Sequence, residues 1–100
     1  MAPIITENPM ESKRNRLTII YDILNTIRRH NNAIKPTPLL RYSNLSSQSF
    51  STYFNELMER GFIKEGQDKK KKKVIMLTEK GHEYLKKYKV ITKFIEDFSL

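Results

Sequence analysis

The side chains best suited to chemistry fall into two groups. Ser47, Gln48, Ser51, Thr52 and Asn55 are polar, short or flexible, and closely spaced. Lys69, Lys70, Lys71, Lys72 and Lys73 are consecutive. Gln and Asn can bond an adenine edge through a donor and an acceptor at once, and Ser or Thr can bond a base or a phosphate. Five adjacent ammonium groups cannot all find carboxylates within one chain. They repel one another, and phosphates would relieve that repulsion while releasing counterions. An ordinary solvated helix face would carry more Lys and Glu than the first group does, because Ser, Thr and Asn are mediocre helix formers. A lysine run also serves as a solvated loop or a nuclear-localisation patch, so its place in the fold decides its meaning. With no Arg or Lys in the first group, strong guanine readout is not expected from it.

Covalent and metal chemistry find no support. There is no cysteine, hence no thiolate nucleophile, disulfide framework or Cys-based metal site. His30 and His82 stand far apart and lack a second ligand at metal spacing. No nucleophile–base arrangement or glycine-rich phosphate loop is visible, so no catalytic residue is assigned and an enzyme is not expected. No ligand pocket is predicted. The formal net charge of +8 on 100 residues attracts polyanions such as DNA, RNA or acidic membrane surfaces. No apolar run approaches the ~20 residues that span a bilayer. The start lacks the apolar segment of a secretory signal. With cysteine absent, the expectation is an intracellular protein.

These groups need elements to hold them. One hundred residues suggest a single domain, able to bury roughly 65% of its unfolded surface. Residues 1–12, with two prolines and two glutamates, read as a flexible tail. Residues 14–30 place Leu17, Ile20, Leu24 and Ile27 at helical spacing, and Asn31-Asn32 stops that helix. Pro36 and Pro38 forbid a helix interior, so an extended piece is expected, then Thr37 as N-cap and a short helix over 38–43. Ser46 or Ser47 caps a third helix, 46–60, with Phe50, Phe54 and Leu57 inward and Gly61 at its end. Helix, short turn, helix is the spacing of a helix-turn-helix. Two β-prone segments, 62–65 and 74–77, flank the polar stretch 67–73 and predict a hairpin directly after the third helix. The lysines thus sit at a hairpin tip, where phosphate contact is the better reading. Lys13, Arg14 and Arg16 can add phosphate contacts or keep the tail soluble. Arg28, Arg29 and His30 suit a helix C-terminus, and Arg41 with Tyr42 offers only a weak further backbone contact.

Thr78 caps a last helix, Glu79 suits its first turn, and Gly81 weakens it slightly. Tyr84, Tyr88, Ile91, Ile95 and Phe98 follow a 4-3-4-3 spacing, widened by Leu85 and Phe94. Tyr84 and Leu85 have the chain's own core to meet, but little remains to cover Ile91, Phe94, Ile95 and Phe98. Self-association is the simplest cover. Lys86, Lys87 and Lys89 lie early in this helix and Glu96 and Asp97 late, which favours an antiparallel pair. The resulting expectation is an α+β, mostly helical chain: a winged helix-turn-helix over 13–78 and a dimerisation helix over 79–100.

The run from Leu45-Ser46 through Tyr53-Phe54-Asn55-Glu56-Leu57-Met58-Glu59-Arg60-Gly61-Phe62-Ile63, the basic hairpin, and Leu77-Thr78-Glu79-Lys80-Gly81 resemble archaeal winged-helix proteins of about 10 kDa. The resemblance covers residues 14–98. It implies duplex DNA binding in transcription or chromatin, a homodimer joined by an antiparallel coiled coil of C-terminal helices, no cofactor, and a nucleoid-associated place in the cytoplasm. It equates the recognition helix with 46–60 and the wing with 67–73. This terminal helix is shorter than a long family-type coil, which implies a less extended dimer. The wholly lysine tip implies backbone binding more than base reading. A winged-helix module that binds proteins instead of DNA is the alternative. RNA binding would need exposed stacking aromatics, and most aromatics here are expected to be buried.

Overall fold

The computed structural model describes residues 15–100. The expected tail over 1–12, and Lys13 and Arg14, lie outside them. Three helices come first: α1 (Arg16–Arg29), α2 (Pro36–Ser43) and α3 (Ser47–Glu59). The hairpin β1 (Ile63–Gln67) and β2 (Lys73–Leu77) follows, then α4 (Glu79–Asp97).

Local signals account for each boundary. Asn15 caps α1 by accepting from the Thr18 N–H at 2.8 Å. Asn31 and Asn32 end the helix in left-handed backbone, φ 60 and 58. Asn44 does the same after α2, at φ 59. Ser46 caps α3 through the Ser49 N–H at 3.1 Å, and Gly61 leaves it at φ 79. Asn and Gly recur at these stops because they tolerate positive φ best. α2 begins at Pro36, two residues before the expected start, and Lys35 rather than Thr37 occupies the N-cap. The first N–H groups of a helix have no intrahelical acceptor, so two prolines within the first turn remove no bond that the helix would make.

β1 and β2 pair antiparallel from Ile63↔Leu77 to Gln67↔Lys73. The strands therefore run further toward the tip than expected, taking in Gly66, Gln67 and Lys73. Ile34, in the extended piece before α2, bridges Ile75 with bonds of 3.2 and 2.7 Å. The hairpin is thus tied to the helical layer by backbone as well as by packing.

The core lies between α1, α2, α3 and the inner face of the hairpin. Ile23, Leu24, Ile27, Leu39, Leu57 and Ile75 are completely or almost completely buried. Ile20, Ile34, Phe50, Ile63, Leu77 and Leu85 complete the cluster. Each such side chain contributes about 1.5–3 kcal/mol by leaving water. α4 joins the core through Leu85 and the buried Gly81. A Cβ on Gly81 would collide with the Phe62 carbonyl oxygen. The glycine that looked like a helix weakness is what lets α4 approach the start of the hairpin.

Tyr84 and Tyr88 join α4 to α1. The Tyr84 hydroxyl donates to the Leu17 carbonyl at 2.9 Å, and the Tyr88 hydroxyl lies 3.1 Å from that of Thr18. The Tyr88 ring stacks on Tyr21 with centroids 4.3 Å apart. Burial, helped by the neighbouring Tyr88, pushes the Tyr84 phenol up to about 12. It therefore remains a hydrogen-bond donor across the neutral range.

Candidate nucleic-acid interface

The face of α3 turned away from Phe50 and Leu57 is open. Ser47, Gln48, Ser51, Thr52 and Asn55 are all exposed, as is Glu59. Helical spacing produces this result: the buried pair are seven residues apart, and the polar set lies on the opposite arc. Thr52 Oγ1 donates to the Gln48 carbonyl at 3.2 Å, so its hydroxyl is already engaged within the helix.

The two arginines flanking this helix are engaged by a carboxylate. Arg16 donates to both Glu56 carboxylate oxygens through its terminal nitrogens, Nη1 at 2.9 Å and Nη2, and Arg60 Nε donates to the same carboxylate at 2.9 Å. The hydrogen-bonded Arg16 guanidinium holds the Glu56 carboxyl below its ordinary range. Of the first basic cluster, then, the described member, Arg16, braces α1 against α3. Arg28 bonds Asn25 Oδ1 at 2.7 and 3.0 Å, and His30 Nδ1 lies 2.8 Å from the Thr26 carbonyl oxygen. Both act at the end of α1. Tyr42 is exposed, its ring centroid 5.1 Å from that of His30.

The hairpin tip is a short turn, 68–72, built on Asp68. Asp68 Oδ1 accepts from the Lys70 N–H at 2.8 Å and the Lys72 N–H at 2.9 Å. The Asp68 N–H donates to the Lys72 carbonyl, and the Lys71 N–H to the Asp68 carbonyl, each at 2.9 Å. Lys71 is left-handed, φ 64. The second carboxylate oxygen lies 3.8 Å from Lys35 Nζ at the start of α2. Backbone N–H donors, first that of Lys72, hold this carboxyl below its usual range, so it is ionised at neutral pH. Lys73 belongs to β2 and sits 3.5 Å from Glu65. Lys69 to Lys72 are all exposed, and Lys69, Lys70 and Lys71 have no carboxylate partner among the described residues. Sequence reading gave Asp68 no role; the signal was available as a lone acidic residue entering a turn, where Asp commonly bonds backbone two residues on.

The stripe on α4 divides near Tyr88. Tyr84 and Tyr88 turn part of their surface to α1, whereas Ile91, Phe94 and Phe98 are 56%, 54% and 63% exposed, with Val90 and Ile95 also open. Leu17, expected on the inward stripe of α1, is 55% exposed. It lines an apolar groove with Phe62, Tyr84, Tyr88 and Ile91, edged by Lys80 and Lys87. That groove was not foreseen from the sequence. Among the described residues no cluster of His, Asp or Glu is arranged to hold a metal ion, and no helix is long and apolar enough to cross a membrane.

Comparisons with known proteins agree with this architecture. The fold is similar to that of Sso10a-2, a DNA-binding protein from Sulfolobus solfataricus, in its crystal structure. The TM-score is 0.66 at 20% identity, over 86% of each chain. At that identity the likeness is one of fold. No curated protein matches the chain. A family model for the winged helix-turn-helix matches residues 13–96, nearly the whole chain. This chain belongs to the winged helix-turn-helix family.

Proposed function

We propose that this protein binds double-stranded DNA as a winged-helix homodimer, acting as a transcriptional regulator or a chromatin-architectural protein. In this reading α3 enters the major groove and offers Ser47, Gln48, Ser51, Thr52 and Asn55 to base edges and phosphates. The wing, Lys69 to Lys73, lies on the phosphate backbone. The Ile91, Phe94, Ile95 and Phe98 end of α4 meets a second copy, with Tyr84 and Tyr88 at the margin of the contact. The reading uses no cofactor and no small-molecule ligand.

One observation supports it above the rest: a tip of exposed lysines, most without a carboxylate partner, on a winged-helix body. Like charges held this close on a short turn raise the energy of the free protein, and a polyphosphate is the partner that lowers it most. The exposed uncharged polar face of α3 adds to this, because a groove-facing helix needs side chains that can approach bases. The DNA-binding activity of the similar archaeal protein is consistent with it.

Fluorescence anisotropy with a mixed-sequence duplex at several salt concentrations is the test. The expected result is affinity that falls steeply and linearly on a log–log plot against salt. Indifference to duplex DNA, with capture of an acidic protein instead, would favour a protein-interaction module.

A further inference from the structure

We propose that Asp68 is a positioning residue of the wing, holding the lysine tip in its DNA-facing shape. This rests on the reading that the wing meets phosphates. A negative charge placed among lysines that bind an anion works against binding by simple electrostatics. Its geometry gives the compensating role. One carboxylate oxygen accepts both the Lys70 and Lys72 N–H groups, at 2.8 and 2.9 Å. The other faces Lys35 Nζ at 3.8 Å. Lys71 between them is held at φ 64, which a lysine rarely adopts unaided. Without the carboxylate the turn loses the acceptor that makes this backbone favourable, and the ammonium groups, which repel each other, spread. A spread tip must be ordered on binding and reaches fewer phosphates at once.

The two roles of Asp68 predict opposite signs. Asp68→Ala removes a negative charge and the acceptor together. As a mere charge, its loss tightens DNA binding. As a positioning group, its loss weakens binding, on the order of threefold for each phosphate forfeited, and shallows the salt slope. Asp68→Asn removes the charge but keeps a carbonyl acceptor for the two N–H groups, so it binds at least as tightly as the parent. The decisive experiment is duplex anisotropy across salt for the parent, D68A and D68N. Limited trypsin cleavage in the lysine run, read by mass spectrometry without DNA, accompanies it. Expected are weaker binding and faster cleavage in D68A, both restored in D68N. D68A binding as tightly as D68N, or cleaved no faster than it, overturns the inference. A variant with Gln at 69–73 separates the two claims. If that variant binds DNA like the parent, the wing reading itself fails, whereas the trypsin comparison still decides whether Asp68 orders the turn.

Discussion

Single residues show how local chemistry sets this fold and its candidate interface. Gly81 is buried where α4 passes the Phe62 carbonyl, with no room for a Cβ. Replacing it with Ala should improve helix propensity, yet the forced shift of backbone against backbone outweighs that gain. We expect Gly81→Ala to lower stability by about 1–3 kcal/mol, read as a lower urea midpoint at an unchanged slope. Glu56 bears on acid stability. Its folded-state carboxyl lies below the ordinary 4.5 because the hydrogen bond and charge of Arg16, and then Arg60, outweigh the burial that opposes them. A depressed carboxyl stabilises the fold above its unfolded value and loses that contribution as pH falls through the folded one. Stability should therefore decline below about pH 4.5 with Glu56 contributing, and Glu56→Gln should be less stable at neutral pH with a shallower acid limb. Thermal melts from pH 7 to pH 3 would find the two curves converging. Equal spacing between them at every pH would mean that the ion pairs contribute nothing. On α3, Gln48→Ala with Asn55→Ala should cost more on a selected duplex than on random DNA, by about 1–3 kcal/mol for each bidentate pairing removed. Equal losses on both would mean that this helix reads no bases.

At the scale of elements, the sequence was most readable where periodicity and punctuation agree. α3 is the clearest case: Ser46, Phe50, Leu57 and Gly61 stand at cap, core, core and exit, and the structure uses each that way. The polar arc of Ser47, Gln48, Ser51, Thr52 and Asn55 follows from the same spacing, so its exposure was legible too. Less legible was whatever depends on a distant partner. Leu17 has helical spacing with Ile20 and Leu24, but burial depends on what stands opposite, and α4 leaves Leu17 beside an open groove. The Ile34 bridge to Ile75 spans the whole helix-turn-helix, so no window around Ile34 contains its partner. The start of α2 was misplaced because a proline pair reads as a helix breaker, although in a first turn it breaks nothing. The wing makes an element-level prediction. Gln at 69–73 should weaken binding to every duplex by a similar factor and shallow the salt slope by about one for each phosphate no longer neutralised. A weakening confined to one sequence would assign the lysines to base reading instead.

At the scale of the whole molecule, the long dimension of 53 Å against 29 and 21 Å reflects α4, whose 19 residues run about 28 Å. Its first half is fastened by Gly81, Leu85, Tyr84 and Tyr88, while its second half presents Val90, Ile91, Phe94, Ile95 and Phe98 to solvent. The separation between fastened and free halves makes the proposed dimer testable without touching the core. Ile91→Glu with Phe94→Glu removes apolar surface and places like charges across any pairing of two such helices, antiparallel or parallel. Neither side chain belongs to the buried cluster, so the winged-helix body should keep its circular dichroism spectrum. Sedimentation equilibrium at micromolar concentration should give the parent twice the 11.9 kDa chain mass, and the variant that mass alone. DNA supplies the second readout. Two heads on one dimer bind a long duplex with avidity, in favourable geometry by about a hundredfold over one head, while a duplex long enough for one head gains little. The double variant should therefore lose much of its affinity for a long duplex and almost none for a short one. A parent that sediments as a monomer would leave the stripe to another partner. A dimeric parent whose variant loses affinity equally on both lengths would mean that dimerisation shapes each head rather than joining two.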